Sequence, residues 1–248
     1  MDTLESLFSH VDADSGLLSG LSAVVHTFDE AGSFHLGILE HDEQVATSLL
    51  EVQHAEPPAG ESDAAPVARG HHADLASLRR PRVGAPKRMT VDRGAPVLFD
   101  AASGEAPHAV VVRRAATAPA GLVGQPLGAG AADQVEPAPG PAAFDSRALG
   151  PGDIFSTVLL RPGTYALANT LGAGAGIITV DYPVITPGVP YRPPGPVTIE
   201  CNDDGFAPAQ VGLKPCQGVV VHINTRARIT VTLTAADDGP TRGATTAS

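Results

Sequence analysis

The sequence predicts an all-β protein, and three observations predict it. Its 248 residues include 27 glycines and 23 prolines, about one position in five, and both residues resist regular helix. The chain has no Trp, three Tyr and seven Phe, so its core must be built on valine and leucine. Leu, Ile, Val and Phe make up about a quarter of it, above the roughly 20% below which a chain stays disordered. Apolar residues recur with period two in short runs bounded by turn residues. This pattern excludes a helical bundle, a coiled coil and collagen, and points to short strands in two-layer sandwiches, in more than one unit.

Residues 1–53 read as an acidic segment that opens with a short helix, Thr3 to Phe8, and continues as a three-stranded meander. Ala23, Val25 and Thr27 alternate with Ser22, Val24 and His26. Asp29–Gly32 supplies a turn, and Phe34, Leu36 and Ile38 return on one face. In that register Thr27 faces Phe34, Val25 faces Leu36 and Ala23 faces Ile38. A second turn, His41–Gln44, leads into a strand over Val45–Val52. Residues 54–86 read as a linker, with a helical turn or two between Ala73 and Arg80. Residues 87–182 form a second β-unit, interrupted at 115–143 by a Gly/Ala/Pro insertion without periodicity. Residues 183–196 hold six prolines and read as a stiff, extended connector. Strands resume at Val197–Glu200, Val211–Leu213, Val219–Ile223 and Ile229–Leu233, and residues 235–248 read as a disordered tail.

The middle unit resembles a cupredoxin, the Greek-key β-sandwich of blue-copper proteins. Met89–Gly94, Pro96–Asp100 and Glu105–Val112 are similar to that family's strand, glycine turn, strand and Pro-His opening. Leu160–Tyr165 and Gly176–Val180 resemble its closing strands. The resemblance implies that His108 would be the first copper ligand, with a Cys, a His and usually a Met between Tyr165 and Gly176. Residues 166–175 contain none of these. A type 1 site needs a thiolate and two imidazoles, so the expectation is a sandwich that has lost its copper. The segment 197–234 resembles the opening strands of a second, incomplete sandwich. Gly94, Val97, Phe99 and Asp100 recur there as Gly218, Val221, Ile223 and Asn224. Four short strands leave open edges, which predicts completion from elsewhere in the chain or from another chain.

The formal net charge is −11, and no Lys or Arg precedes Arg69. This acidity disfavours nucleic-acid binding, while the basic residues between Arg69 and Arg93 can pair with the acidic segment. No window is long and apolar enough to span a membrane. The apolar run at 16–25 is flanked by acids rather than by the positive start of a signal peptide, so the expected location is cytoplasmic. Cys201 and Cys216 are either free thiols or a disulfide.

Seven of the nine histidines fall in residues 1–72. The meander register sets His26 opposite His35 with His41 on the same face, which offers a surface site for Cu, Ni or Zn, alone or with His108. His71 and His72 read as solvated, and Asp203-Asp204 as a turn. No nucleophile elbow or phosphate loop occurs. The glycine-rich run 171–176 precedes a strand, so it lacks the helix N-terminus that a dinucleotide needs. These features lead to an expectation of a non-catalytic structural or interaction protein. It would act by strand pairing and charge complementarity in a homo-oligomer or larger assembly, with metal handling through the histidine cluster as the alternative.

Overall fold

A computed structural model describes residues 12–54, 70–79, 87–101, 107–115, 142–182, 188 and 190–237. The expected helix at Thr3–Phe8, nearly all of the 54–68 linker and the body of the 115–143 insertion lie outside these residues.

The chain is all-β. Its strands are β1 (Asp12–Asp14), β2 (Ser22–Thr27), β3 (Gly32–Glu40), β4 (Glu43–Gln53), β5 (His71–Asp74), β6 (Arg88–Asp92), β7 (Pro96–Asp100), β8 (Ala109–Arg114) and β9 (Ala142–Asp145). They continue as β10 (Ile154–Val158), β11 (Gly163–Asn169), β12 (Ala175–Val180), β13 (Val197–Asn202), β14 (Gly205–Ala207), β15 (Gln210–Leu213), β16 (Gly218–Ile223) and β17 (Ile229–Ala236). One helical turn, α1 (Leu75–Arg79), follows β5, with the Asp74 carboxylate accepting the Ser77 N–H.

A seven-stranded sheet runs β14-β13-β16-β10-β2-β7-β5, and two five-stranded sheets run β6-β4-β3-β8-β9 and β1-β17-β11-β12-β15. Across the large sheet, Ala73, Phe99, Val24, Phe155, Val221 and Ile199 lie side by side in register, and all are buried. Residues paired in register share a face, so this row is the floor of the core. Phe99 stacks on Phe144 of β9 at 5.3 Å, and Cys201 meets the amide of Asn169 on β11 at 3.8 Å. Both small sheets therefore pack on the same face of the large one, giving two sandwiches side by side over a shared floor.

The two sandwiches are repeats of one plan, and the registers show it residue by residue. In the first, β2 pairs β7 antiparallel, β5 pairs β7 parallel, β3 pairs β4 and β8 antiparallel, and β4 pairs β6 parallel. In the second, β10, β16, β13, β11, β12, β17 and β15 make the same pairs in the same senses. Small geometric details match as well. Gly32 and Gly163 open their strands at φ 149° and 148°, and Gly94 and Cys216 turn at φ 76° and 61°. The Gly94 N–H donates to Phe28 O and the Cys216 N–H to Leu159 O, both at 3.0 Å.

The leading strand of each repeat is exchanged. β1, which precedes the first repeat, pairs β17 of the second, while β9, which precedes the second, pairs β8 of the first. In the middle of the large sheet β2 lies antiparallel to β10, with Val24 opposite Phe155. These two are equivalent residues, so a pseudo-two-fold axis passes through their pair.

Several expectations are corrected by this topology. The meander 20–53 is only half formed, because β3 and β4 make the hairpin through His41 and Asp42, but β2 lies in a different sheet. Residues 28–31 arch between layers, with Phe28 buried and its ring 5.8 Å from that of Phe34. Period-two alternation specifies which face is buried and not which strand is the neighbour. The unit 87–182 is likewise not one sandwich, since β6 to β8 complete the first repeat while β10 to β12 begin the second. The segment 197–234 is therefore not an incomplete module; its remaining strands lie upstream in the same chain. The span 54–86 contains an edge strand, β5. Ala235 and Ala236, expected in the tail, pair Thr164 and Gly163. The internal repeat is real but shifted by two residues. Gly94 matches Cys216, Val97 matches Val219, and Phe99 matches Val221, because a run of three valines fits either register.

Candidate functional site

The charged side chains that the fold draws inward gather at the seam between the repeats. Asp14 ends β1 and meets Arg228 at the start of β17. Arg228 Nε donates to Asp14 Oδ1 at 3.0 Å and Nη2 donates to Oδ2 at 2.8 Å, a two-pronged contact. In the other repeat the equivalent of Asp14 is Asp145, which receives the same fork from Arg147, two residues along its own chain, at 2.9 and 2.8 Å. The equivalent of Arg147 is Gly16, and a side chain there would collide with the Arg228 guanidinium. One repeat supplies the cation in sequence and the other across the sheet, and each leaves the alternative position small. Hydrogen bonding to its aspartate pushes each guanidinium above its ordinary range. Arg147 reaches further, to Asp42 in the β3–β4 turn at 3.0 Å.

Next to each aspartate a serine closes the backbone. The Ser15 N–H donates to Ile229 O and Ser15 Oγ accepts the Ile229 N–H; Ser146 does the same to Val110. The sequence carries this signal openly, as Asp14-Ser-Gly-Leu-Leu18 and Asp145-Ser-Arg-Ala-Leu149. It is missed by a search for the repeat that starts at the glycine turns.

The third tie is His26. Its Nδ1 lies 2.6 Å from Asp153 Oδ1, and the second oxygen of that carboxylate accepts the Gly150 N–H at 2.8 Å. With the carboxylate ionised, Nδ1 carries the proton and donates it. The imidazole is clamped between Phe144, stacked at 4.5 Å, and Phe28, edge-on at 4.6 Å. His26 and Asp153 continue the β2–β10 ladder. At the other end of that ladder the equivalent places hold Thr157 and Ser22, so only one side of the seam carries an acid–imidazole pair.

This geometry does not bring the expected histidine cluster together. His26 belongs to the seven-stranded sheet and faces Asp153. His35 lies in a five-stranded sheet, paired with Leu49 and Arg113, and not opposite His26. His41 occupies a turn at φ 52°. His108 is buried where β8 begins, and its backbone exchanges hydrogen bonds with Leu18 at 2.7 and 2.9 Å. Among the described residues no three His, Cys, Asp or Glu side chains converge on a point that could hold a metal ion. His71 and His72, expected to be solvated, both have partners. His71 Nε2 accepts the Asp92 N–H at 3.3 Å, and His72 Nε2 lies 2.7 Å from Asp100. Cys201 and Cys216 are both free, one buried and one exposed, so the disulfide alternative is corrected. Burial pushes the Cys201 thiol up. Asp203-Asp204 forms the β13–β14 turn, as expected.

The face of the large sheet that points away from the core carries an apolar strip at its middle, between polar ends. Its middle row runs His72, Leu98, Val25, Ile154, His222 and Glu200, and the next runs Asp74, Asp100, Ala23, Ser156, Val220 and Thr198. The apolar members are half-buried rather than exposed. The row ends on two acid–imidazole pairs, His72–Asp100 and His222–Glu200, the latter at 3.5 Å.

Comparison with known proteins returns no match: no family model, no curated protein and no solved structure is significantly similar to this chain. Among the described residues, no helix is long and apolar enough to cross a membrane.

Proposed function

We propose that this is a non-catalytic structural and interaction protein. In this reading its two sandwiches are copper-free and cupredoxin-like, and it associates with a second copy through the outer face of the seven-stranded sheet. The observation that carries the reading is the apolar row Leu98–Val25–Ile154 on that face. An antiparallel sheet with one face on a core normally shows polar residues on the other. A like-with-like contact between two copies needs one patch to serve on both. The row crosses the β2–β10 pair beside the pseudo-two-fold axis, with Leu98 and Val25 from the first repeat and Ile154 from the second, and it is continuous with the seam that already joins the repeats. Strand pairing, expected either within the chain or with another chain, operates here within one chain. Charge complementarity does the same, through Arg147–Asp42, Arg114–Glu30 and Arg88–Glu51.

The test is light scattering on the full chain from about 1 µM to about 1 mM. A concentration-dependent dimer is expected, weakened at least about tenfold by V25K and by I154K with an unchanged circular dichroism spectrum. A monomer throughout that range contradicts the proposal.

A further inference from the structure

The seam between the repeats is built like an interface between two molecules. Residues 12–115 and 142–237 each form one sandwich together with a leading strand that belongs to the other. The described parts of the two halves are joined only through residues 116–141. Among the described residues everything else that holds them is non-covalent, and the strand pairs are matched about the axis. β1 lies on β17 over Asp12–Asp14, β9 lies on β8, and β2 lies on β10 over Ser22–Val25. Asp14–Arg228, Asp12–Leu233, Asp42–Arg147 and His26–Asp153 are polar ties across the seam. Phe144 is 4% exposed although it comes from the second half, because its ring completes the core of the first on Phe99 and His26.

Exchange of an identical element between two copies is how domain-swapped dimers form, and here both copies lie in one chain. We infer that the chain is an internal dimer. Residues 12–115 and 142–237 recognise each other as separate molecules would, and the partner that fits the seam surface of either half is the other half. Each half leaves a gap of defined shape. The first lacks a strand ending in an aromatic residue and Asp-Ser beside β8. The second lacks one ending in Ala-Asp-Ser beside β17. This surface is distinct from the outer face proposed above for contact between chains, so each idea can fail without the other.

The experiment uses the full chain with a site-specific protease sequence placed inside 116–141, folded first and cut afterwards. The cut protein is expected to elute at the intact size in native buffer and to separate into two fragments only in denaturant. Its urea midpoint should fall with each tenfold dilution, whereas the uncut chain's midpoint stays fixed, because only the cut form dissociates on unfolding. Asp14→Asn should weaken association of the cut halves at least tenfold while the uncut variant remains one folded molecule. Phe144→Ala serves as a second variant on the other side of the axis. A cut protein whose midpoint ignores concentration over a hundredfold range overturns the inference. So does separation in native buffer into two folded monomers, each having taken back its own leading strand.

Discussion

Asp14 and Asp145 show how one structural need is met twice with different residues. Each aspartate caps a short strand, and each takes a two-pronged arginine, Arg228 across the sheet or Arg147 in sequence. Arg228 lies between strands of different repeats, whereas Arg147 Nε and Nη2 bond within their own turn. Arg228→Ala should therefore destabilise the protein more than the exposed pairs do, by about 1–3 kcal/mol against about 0–1 for Lys214→Ala, whose partner Asp181 is on the surface. Urea unfolding of the two variants checks the ranking. The cysteines give a second test at this scale. Native protein should release one equivalent of thiol to a disulfide reagent at pH 8, from Cys216, and a second only on unfolding. Buried Cys201 holds its proton above the ordinary thiol range. The sign for stability follows: a proton held more tightly in the folded state contributes below the unfolded thiol's pKa and is lost as pH rises through the raised value. Tyr165, pushed up by burial, acts in the same direction at still higher pH.

The repeats permit controlled comparison of single elements. Gly32 and Gly163 open β3 and β11 with nearly the same φ, so the backbone strain of an alanine is common to both. The space around them differs. A Cβ on Gly32 would meet the movable end of Arg114, but on Gly163 it would strike the carbonyl of Ala235, fixed in the β11–β17 ladder. Gly163→Ala should cost about 1–2 kcal/mol more than Gly32→Ala in thermal or urea unfolding. At the other matched turn, Cys216 carries a left-handed φ where the first repeat has Gly94, so Cys216→Gly should stabilise by up to about 1 kcal/mol. Much at this level is legible in the sequence. The Val219–Ile223 and Ile229–Leu233 strands, the hairpin through His41 and Asp42, and the helical turn after Asp74 follow from alternation and turn chemistry. What alternation does not carry is the neighbour. Ser22–Thr27 reads as a strand beside Phe34–Ile38, and only tertiary packing sets it between β7 and β10, which moves His26 from His35 to Asp153.

For the whole molecule, the glycine-rich and proline-rich stretches divide the sequence at places where the fold does not. The divisions at 54–86 and 183–196 fall inside the repeats, between β4 and β6 with β5 inside the first, and between β12 and β13. The true boundary lies within the 115–143 insertion, and the leading strands then cross it in both directions. A single chain with no matching relative offers little to reveal such an exchange, since Asp14-Ser15 and Asp145-Ser146 are the only plain echo of it. The histidine site fell with the register that suggested it. The exchange is the central claim, and engineered disulfides test it most directly, in a C216G background to remove the exposed thiol. Asp12 is in register with Thr232 of the second repeat, whereas an unexchanged β1 would lie beside Arg113, the equivalent position in the first. Oxidation of D12C/T232C should give a crosslink, seen by intact mass and by a joined terminal peptide pair, and D12C/R113C should give none. Crosslinking of D12C/R113C with none in D12C/T232C would contradict the exchange.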